Sequence, residues 1–257
     1  NIMRLPVSDA VFSITANVPV LGAVRAKNAP IFDSSLIITK MQDIKIKDQN
    51  PHCSKHVLAP VRVLNLYAGI GGNRKHWENV EVTAIEYNEE IANVYKQLHP
   101  NDTVIVTDAH DYLAKHWREF DFIWSSPPCQ SHSKVRMMAS KSGSYNAVMP
   151  DMKLWSEIIF LQNFTKNTNI KFVVENVKPY YEPFVKPTAK LGRHLFWANF
   201  ELPETEIKDG LTHNERGSSE KGYFDLREYK MKHRKDQIIR NCVDPNVGQY
   251  VLGCAVS

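Results

Sequence analysis

Hydrophobic positions follow two alternating periods along the chain from residue 61 onward. Runs of branched apolar residues predict five strands: VRVLNLYAG (61–69), EVTAIEY (81–87), DTVIVTDA (102–109), DFIWSS (121–126) and IKFVVENV (170–177). Apolar residues at helical spacing predict helices in NEEIANVYKQLHP (88–100), HDYLAKHWREF (110–120) and DMKLWSEIIFLQNFTK (151–166), and NRKHWENV (73–80) suggests a short one. This alternation predicts an α/β fold whose parallel sheet has helices on both faces.

The longest predicted helix is expected to be amphipathic. Its apolar face is predicted to contain Met152, Trp155, Ile158, Ile159 and Phe164. Residues 1–60 are harder to interpret, because they contain only short apolar runs and a polar, linker-like segment.

Composition sets limits on the class of protein. The chain has 257 residues, 43% hydrophobic and 23% charged, which is typical of a globular protein with one large domain, with or without a small appendage. No apolar run of about 18 residues and no secretory signal are visible, so we expect a cytoplasmic protein with no membrane span. The net charge of +4 permits a polyanionic partner but does not require one.

The cysteines predict neither a disulfide framework nor a metal site. No CxxC spacing occurs, so free thiols in a reducing compartment are expected. The segment HCSKH brings His52, Cys53 and His56 close together, but no suitably spaced residue offers the fourth ligand that zinc needs. A polar linker is therefore the favoured interpretation of this segment, and no metal is predicted.

The first candidate site is a cofactor pocket at the carboxyl ends of the strands, where parallel sheets bind their ligands. Glycines in YAGIGG (67–72) directly follow the first strand and would let a ligand approach the backbone, although their spacing differs from GxGxxG. Glu86 closes the second strand 17 residues after Gly69, where a carboxylate could accept hydrogen bonds from ribose hydroxyls or could simply be solvated. Asp108, after the third strand, could contact an adenine amino group or could cap the next helix. Together these residues indicate an adenosine-bearing cofactor.

The second candidate site is a thiol at the end of the fourth strand. Two prolines stop this strand in SSPPCQ and fix the direction of the chain before Cys129. A lone cysteine is usually a small buried hydrophobe, but the polar neighbours, with Lys134 and Arg136, favour an accessible thiol with thiolate character. Glu175 ends the fifth strand next to Asn176, where a carboxyl group could act as a proton donor.

These motifs together resemble the C5-cytosine methyltransferase family over residues 62–200 and again over 235–252. LNLYAGIGG is similar to the family's cofactor loop, SSPPCQ to its Pro-Cys-Gln motif and VVENV to its Glu-Asn-Val motif. GRHLFWANF is similar to the arginine-containing strand, with Arg193 as the matching residue. IIRNCVDPNVG resembles the late segment that returns to the cofactor, with Asn241 in place and Arg240 where the family has glycine.

The resemblance implies a Rossmann-like S-adenosylmethionine-dependent methyltransferase fold with a small recognition region. It implies that the Cys129 thiolate adds to C6 of a flipped-out cytosine and that Glu175 contacts the ring N3 and amino group. The implied catalytic residues are Cys129, Glu175 and Arg193. The implied S-adenosylmethionine-binding residues are Tyr67, Ala68, Gly69, Gly71, Gly72, Glu86, Tyr87, Asp108, Ala109, Pro127 and Asn241. Nucleic acid is expected at Gln130, Ser131, Ser133, Lys134, Arg136, Lys230, Lys232, Arg234 and Lys235, and the segment from Gln130 to about Val148 is expected to be a mobile lid.

The resemblance divides the chain into four predicted segments. We predict an N-terminal extension of unknown role (1–60), a catalytic domain (61–200), a reduced target-recognition segment (201–234) and a C-terminal segment returning to the catalytic domain (235–257). The short recognition segment contains NERGSSEKG, which is typical of a flexible loop. Its length suggests low sequence specificity, or recognition by residues 1–60 or by a separate specificity subunit.

The expected partner is double-stranded DNA, in a prokaryotic or phage-like setting where a restriction enzyme could accompany the protein. Two alternatives remain open. One is a tRNA or RNA cytosine-C5 methyltransferase, and the other is a non-catalytic nucleic-acid-binding relative. The run KMKHRK (230–235) is expected beside the nucleic-acid cleft, although an isolated run of this kind is more often a solvated surface.

Overall fold

A computed structural model describes residues 59–207, 220–221 and 223–257. Nearly all of the predicted N-terminal extension, including HCSKH, lies outside these residues, as does most of NERGSSEKG. Within the described ranges, no group of three or more His, Cys, Asp or Glu residues could hold a metal ion. No described helix has the length and apolar character needed to cross a membrane.

The centre of the fold is a seven-stranded sheet of order β3-β2-β1-β4-β5-β7-β6. Its strands are β1 (Val61–Leu66), β2 (Val80–Glu86), β3 (Thr103–Val106), β4 (Phe122–Ser125), β5 (Lys171–Val177), β6 (Ala189–Leu191) and β7 (His194–Ala198). The first five strands are parallel to one another, and β7 is antiparallel to both β5 and β6. The five strands predicted from apolar runs are therefore confirmed. Because β1 pairs with both β2 and β4, the strand order reverses there, and a ligand crevice forms at such a reversal.

Six helices are described, together with a short 3-10 helix at Trp117–Glu119 and a two-stranded ribbon. The helices are α1 (Glu89–Leu98), α2 (Ala109–His116), α3 (Lys134–Lys141), α4 (Lys153–Phe164), α5 (Lys235–Asn241) and α6 (Pro245–Val256). Apolar residues of α1 and α6 pack on one face of the sheet, and those of α2 and α4 pack on the other. The ribbon pairs β8 (Glu220–Lys221) with β9 (Phe224–Asp225), and residues after it pack with α1 and α5. This is the Rossmann-like fold of S-adenosylmethionine-dependent methyltransferases.

Two local predictions are wrong. NRKHWENV forms turns rather than a helix, and the Trp77 indole donates a hydrogen bond to the carbonyl of Gly248 (2.9 Å) that connects this stretch to α6. In α4, Trp155 and Ile158 are buried as predicted, but Met152, Ile159 and Phe164 are about half exposed. Leu154 and Leu161 complete the buried face instead.

We predict opposite stability effects for the two glycines of α6. A Cβ atom at Gly248 would collide with the backbone of Asn73, whereas a Cβ at Gly253 would meet no atom within 4 Å. Gly248→Ala should therefore lower the free energy of unfolding by about 1–3 kcal/mol, the usual cost of overpacking. Gly253→Ala should raise it by about 0.5–1 kcal/mol, since alanine restricts the unfolded chain and favours helix. Urea unfolding of both variants tests this, and equal effects would contradict the close approach of α6 to the turn.

Candidate active site

A cavity of about 720 Å³ lies at the carboxyl ends of β1, β2, β4 and β5, within the size range of small-molecule sites. It brings together most residues that the sequence singled out. All three predicted catalytic residues line it, with these predicted ligand-binding residues: Tyr67, Ala68, Gly69, Gly72, Glu86, Tyr87, Asp108, Pro127, Asn241, Gln130 and Ser133. The other predicted site residues do not line the cavity: Gly71, Ala109, Ser131, Lys134, Arg136, Lys230, Lys232, Arg234 and Lys235.

The glycines of YAGIGG differ in what they do. Gly69 has a positive φ of 56°, and a Cβ there would face open space. Gly71 (φ 79°) has no room for a Cβ, which would collide with His99 and Tyr95, and a Cβ at Gly72 would lie 2.6 Å from the carbonyl oxygen of Val243. Gly71 and Gly72 thus allow close internal packing, while Gly69 presents bare backbone to the cavity.

Glu86 fixes this glycine turn to the end of β2. One carboxylate oxygen accepts a hydrogen bond from the Gly69 backbone N–H and the other from the Asn88 N–H, each at 2.9 Å. Burial raises the pKa of Glu86, while the hydrogen bonds from backbone N–H groups act in the opposite direction. Each oxygen keeps a further lone pair for an additional donor. The bare backbone at Gly69 and a carboxylate beside it in one cavity fit the adenosine-bearing cofactor that the sequence indicates.

The carboxylate of Asp108 is occupied within the protein. Its Oδ1 caps α2 by accepting from the Asp111 N–H (3.0 Å), and its Oδ2 accepts from the Lys153 ammonium group (3.0 Å). The same two contacts hold the pKa of Asp108 below its usual range. The helix-capping interpretation is therefore confirmed. Asp108 also lines the cavity, so its contact with adenine stays a prediction.

The loop carrying Cys129 is held from the neighbouring strand. The side-chain amide of Asn176, at the end of β5, donates to the carbonyl of Pro127 (2.8 Å), and the carbonyl of Cys129 accepts from the N–H groups of His132 and Ser133 (3.1 Å each). These contacts position the thiol at the edge of the cavity, where the residue is partly buried.

The surroundings of Cys129 oppose the thiolate character expected from its sequence neighbours. Burial raises the pKa of the Cys129 thiol, and the negative charge of Glu175 raises it further, while Arg193 opposes both. Lys134 and Arg136, which are near Cys129 in sequence, are not among the groups that shift this pKa.

Glu175 is buried at the end of β5, with 6% of its surface exposed. Its Oε2 accepts from the hydroxyl of Ser126 (2.8 Å), and that hydroxyl accepts from the indole N–H of Trp124 (2.8 Å). Its Oε1 lies 3.7 Å from Nε2 of His194. The guanidinium of Arg193 donates to the carbonyl of Arg240 (3.3 Å), which connects the turn before β7 to the end of α5.

Sequence reasoning missed a buried carboxylate beneath the cavity. Glu157 of α4 has no exposed surface and accepts hydrogen bonds from the hydroxyls of Tyr67 (2.5 Å) and Ser125 (2.6 Å). It also contacts Nδ1 of His110 at 2.9 Å, and this contact raises the pKa of His110. Glu157 thus joins the glycine turn, the end of β4 and the start of α2. Its signal in the sequence was a charged residue between the buried Trp155 and Ile158.

The predicted lid contains a helix near its start in the structure. Ser133 forms an isolated bridge with Pro179, and α3 follows immediately. The guanidinium of Arg136 lies over the ring of Tyr145, 4.4 Å from its centroid, and Ser131 accepts from the Asp151 N–H (2.9 Å). Movement of this segment stays a prediction.

The KMKHRK run packs against the start of α1. Its contact point is Glu90, which accepts from the Lys232 and His233 backbone N–H groups and contacts the His233 ring at 2.6 Å. Arg234 pairs with Asp236 (2.8 Å), and Lys235 donates to the carbonyl of Arg227 (2.9 Å). Two cations of the run thus have protein partners, and nucleic-acid binding by the run stays a prediction.

We predict that Glu86→Ala weakens binding of S-adenosylmethionine. Loss of one charge-assisted hydrogen bond costs about 1.5–3 kcal/mol, which corresponds to roughly 10- to 100-fold in Kd. Isothermal titration calorimetry measures this directly. The matched control is Glu81→Ala at the opposite end of β2, where the carboxylate is exposed. Equal affinities of the two variants would show that Glu86 does not meet the cofactor.

Known proteins resemble this region of the chain. Residues 61–183 match the family model described as C-5 cytosine-specific DNA methylase. A human tRNA (cytosine(38)-C(5))-methyltransferase is 26% identical in an alignment of 156 positions that covers 52% of this chain and 40% of that protein. Among solved structures, a DNMT2 mutant from Spodoptera frugiperda is 25% identical over 46% of this chain and 36% of its own, with a TM-score of 0.33. The Entamoeba histolytica methyltransferase EhMeth is 20% identical over 47% and 39% of the two chains, with a TM-score of 0.31.

The chain spans about two fifths of the length of the curated relative that it matches. The matched residues 61–183 contain the glycine turn, Glu86, Cys129 and Glu175, which line one cavity. Residues 61–183 thus match the model of the C-5 cytosine-specific DNA methylase family over the stretch that supplies these cavity residues.

Proposed function

We propose that this chain transfers a methyl group from S-adenosylmethionine to C5 of cytosine in a nucleic acid. The observation that carries this proposal is the placement of Cys129 and Glu175 on one cavity with the bare glycine turn at Gly69. A nucleophile, a carboxyl group and a cofactor-sized space are the parts that this reaction needs.

The cofactor would be held by the glycine turn and by Glu86. The Gly69 backbone allows close approach, and the Glu86 carboxylate offers acceptors for ribose hydroxyls. When bound, S-adenosylmethionine supplies an electrophilic methyl group. Tyr87, Asp108 and Asn241 line the same cavity and would complete the binding site.

Cys129 acts as the nucleophile in this proposal. Its thiolate forms a bond to C6 of cytosine, and the displaced electron pair makes C5 nucleophilic while N3 takes a proton from Glu175. After methylation, the C5 proton is lost to water, the N3 proton returns to Glu175, and elimination of the thiolate restores the aromatic ring. Arg193 opposes the effect of Glu175 on the thiol and so favours the ionised form.

DNA is the first proposed substrate, because the matching family model describes DNA methylases. A base inside a duplex cannot reach a recessed thiol, so the target cytosine would have to flip out of the stack. The exposed Lys134, Lys230 and Lys232 could contact phosphates and position the nucleic acid without reading its sequence.

A transfer RNA is the second proposed substrate. The observation that favours it is the similarity to the human tRNA cytosine-C5 methyltransferase. A non-catalytic binding protein is the third interpretation, and the intact set of Cys129, Glu175 and Arg193 in one cavity counts against it.

A labelled methyl-transfer assay tests these three interpretations. The full chain is incubated with methyl-labelled S-adenosylmethionine and either duplex DNA or total tRNA, and nucleosides are then identified by mass spectrometry. Labelled 5-methylcytosine from DNA supports the first proposal, and labelled 5-methylcytosine from tRNA alone supports the second. Binding of nucleic acid and cofactor without any transfer would overturn the catalytic proposal.

A further inference from the structure

The side chain of His194 faces the carboxylate of Glu175. Its Nε2 lies 3.7 Å from Oε1 of Glu175, and both residues line the same cavity as Cys129. The register of the sheet causes this arrangement, because Glu175 of β5 pairs with Phe196 of β7. His194 lies two residues from Phe196 and so is on the same face of the sheet, within diagonal reach of Glu175.

The two oxygens of Glu175 have different surroundings. The Ser126 hydroxyl donates to Oε2 at 2.8 Å and leaves Oε1 beside the imidazole. A distance of 3.7 Å exceeds that of a hydrogen bond, but acid–base pairs often tighten when a substrate binds. Both side chains are largely buried, with 17% of the His194 side chain and 8% of the Glu175 side chain exposed. Exchange of a proton with bulk water is therefore restricted.

We infer that His194 is a positioning residue that holds a proton for Glu175. This inference rests on the proposed function, in which Glu175 must give a proton to N3 of cytosine. As the Cys129 sulfur bonds to C6, protonated His194 gives its Nε2 proton to Oε1 of the ionised Glu175, and the carboxyl group passes a proton on to N3. Elimination of the thiolate returns the proton along the same path, so His194 is neither consumed nor oxidised.

Other charged groups lie around this pair. Arg193 and the Cys129 thiol line the main cavity with it, and Arg240 lines the cavity from the end of α5. Asp244, at the start of α6, lines a small adjoining cavity together with Arg193 and His194. His194 Nε2 lies 3.7 Å from Oε1 of Glu175, within ion-pair distance when the imidazole is protonated.

The first test is the pH dependence of methyl transfer by the full chain, its His194→Gln variant and a control variant. The control is His116→Gln, because His116 also pairs with a carboxylate, that of Glu119 at 2.8 Å, but does not line the cavity. We expect His194→Gln to lower kcat about 10- to 100-fold near pH 6, where an imidazole ordinarily carries a proton, and much less near pH 8, where it ordinarily does not. The affinity for S-adenosylmethionine should not change. An equal loss at every pH, or no loss, would overturn the inference and leave the proposed function intact.

The second test does not depend on activity. Nitrogen-15 NMR of the imidazole rings follows the titration of each histidine in the unchanged chain and in Glu175→Gln. We expect the titration of His194 to change and that of His116 to stay the same. An unaltered His194 titration would overturn the inference even in an active enzyme. Absence of transfer by the unchanged chain would instead overturn the proposed function.

Discussion

Cys129→Ser should abolish methyl transfer while leaving the fold and the cofactor site in place. Serine is close to cysteine in size, and the contacts that position residue 129 come from its own backbone and from Pro127, so the loop should keep its shape. A serine hydroxyl is far less ionised than a thiol at neutral pH and adds poorly to C6. We expect kcat to fall by more than about 10³-fold, as when other enzymes lose their nucleophile.

The measurement is methyl transfer to the nucleic acid that the unchanged chain modifies. The control is Cys254→Ser on α6, which removes a partly buried thiol that does not line the cavity. Calorimetric binding of S-adenosylmethionine by both variants shows whether the site is intact. Turnover by Cys129→Ser within tenfold of the control would exclude Cys129 as the nucleophile.

The sheet could be predicted from the sequence because its signal is local. Residues of β1, β4 and β5 are mostly buried, so the sequence shows short continuous apolar runs that end at polar or small residues. The same boundaries located Glu86 and Glu175 at strand ends. Since parallel strands end at one edge of a sheet, the sequence alone could bring these carboxylates to one cavity.

Contacts between distant segments could not be predicted in this way. Trp77 in NRKHWENV donates a hydrogen bond to the carbonyl of Gly248, which is 171 residues further along the chain. The pKa of the Cys129 thiol depends on burial and on Glu175, not on the basic residues that follow it in sequence. His194 acquires its place beside Glu175 only through the antiparallel register of β5 and β7.

Glu175→Gln should change thiol reactivity and methyl transfer in opposite directions. The charge of Glu175 raises the pKa of Cys129, so its removal should lower that pKa and move the alkylation of Cys129 by iodoacetamide to lower pH. If Glu175 served only to restrain the thiol, turnover at neutral pH would rise with the thiolate fraction. We expect turnover to fall instead by about 10²–10³-fold, because glutamine cannot give N3 a proton.

The two measurements together separate ionisation of the nucleophile from stabilisation of the ring. Alkylation is followed by mass spectrometry of the peptide that contains Cys129, and turnover by the methyl-transfer assay. Glu182→Gln is the matched control, since this glutamate is exposed seven residues further along the chain and does not line the cavity. A turnover that increases in step with alkylation would contradict the proton-donor role of Glu175. In that case the buried carboxylate would act on the reaction only through the thiol, and His194 would have no proton to hold for it.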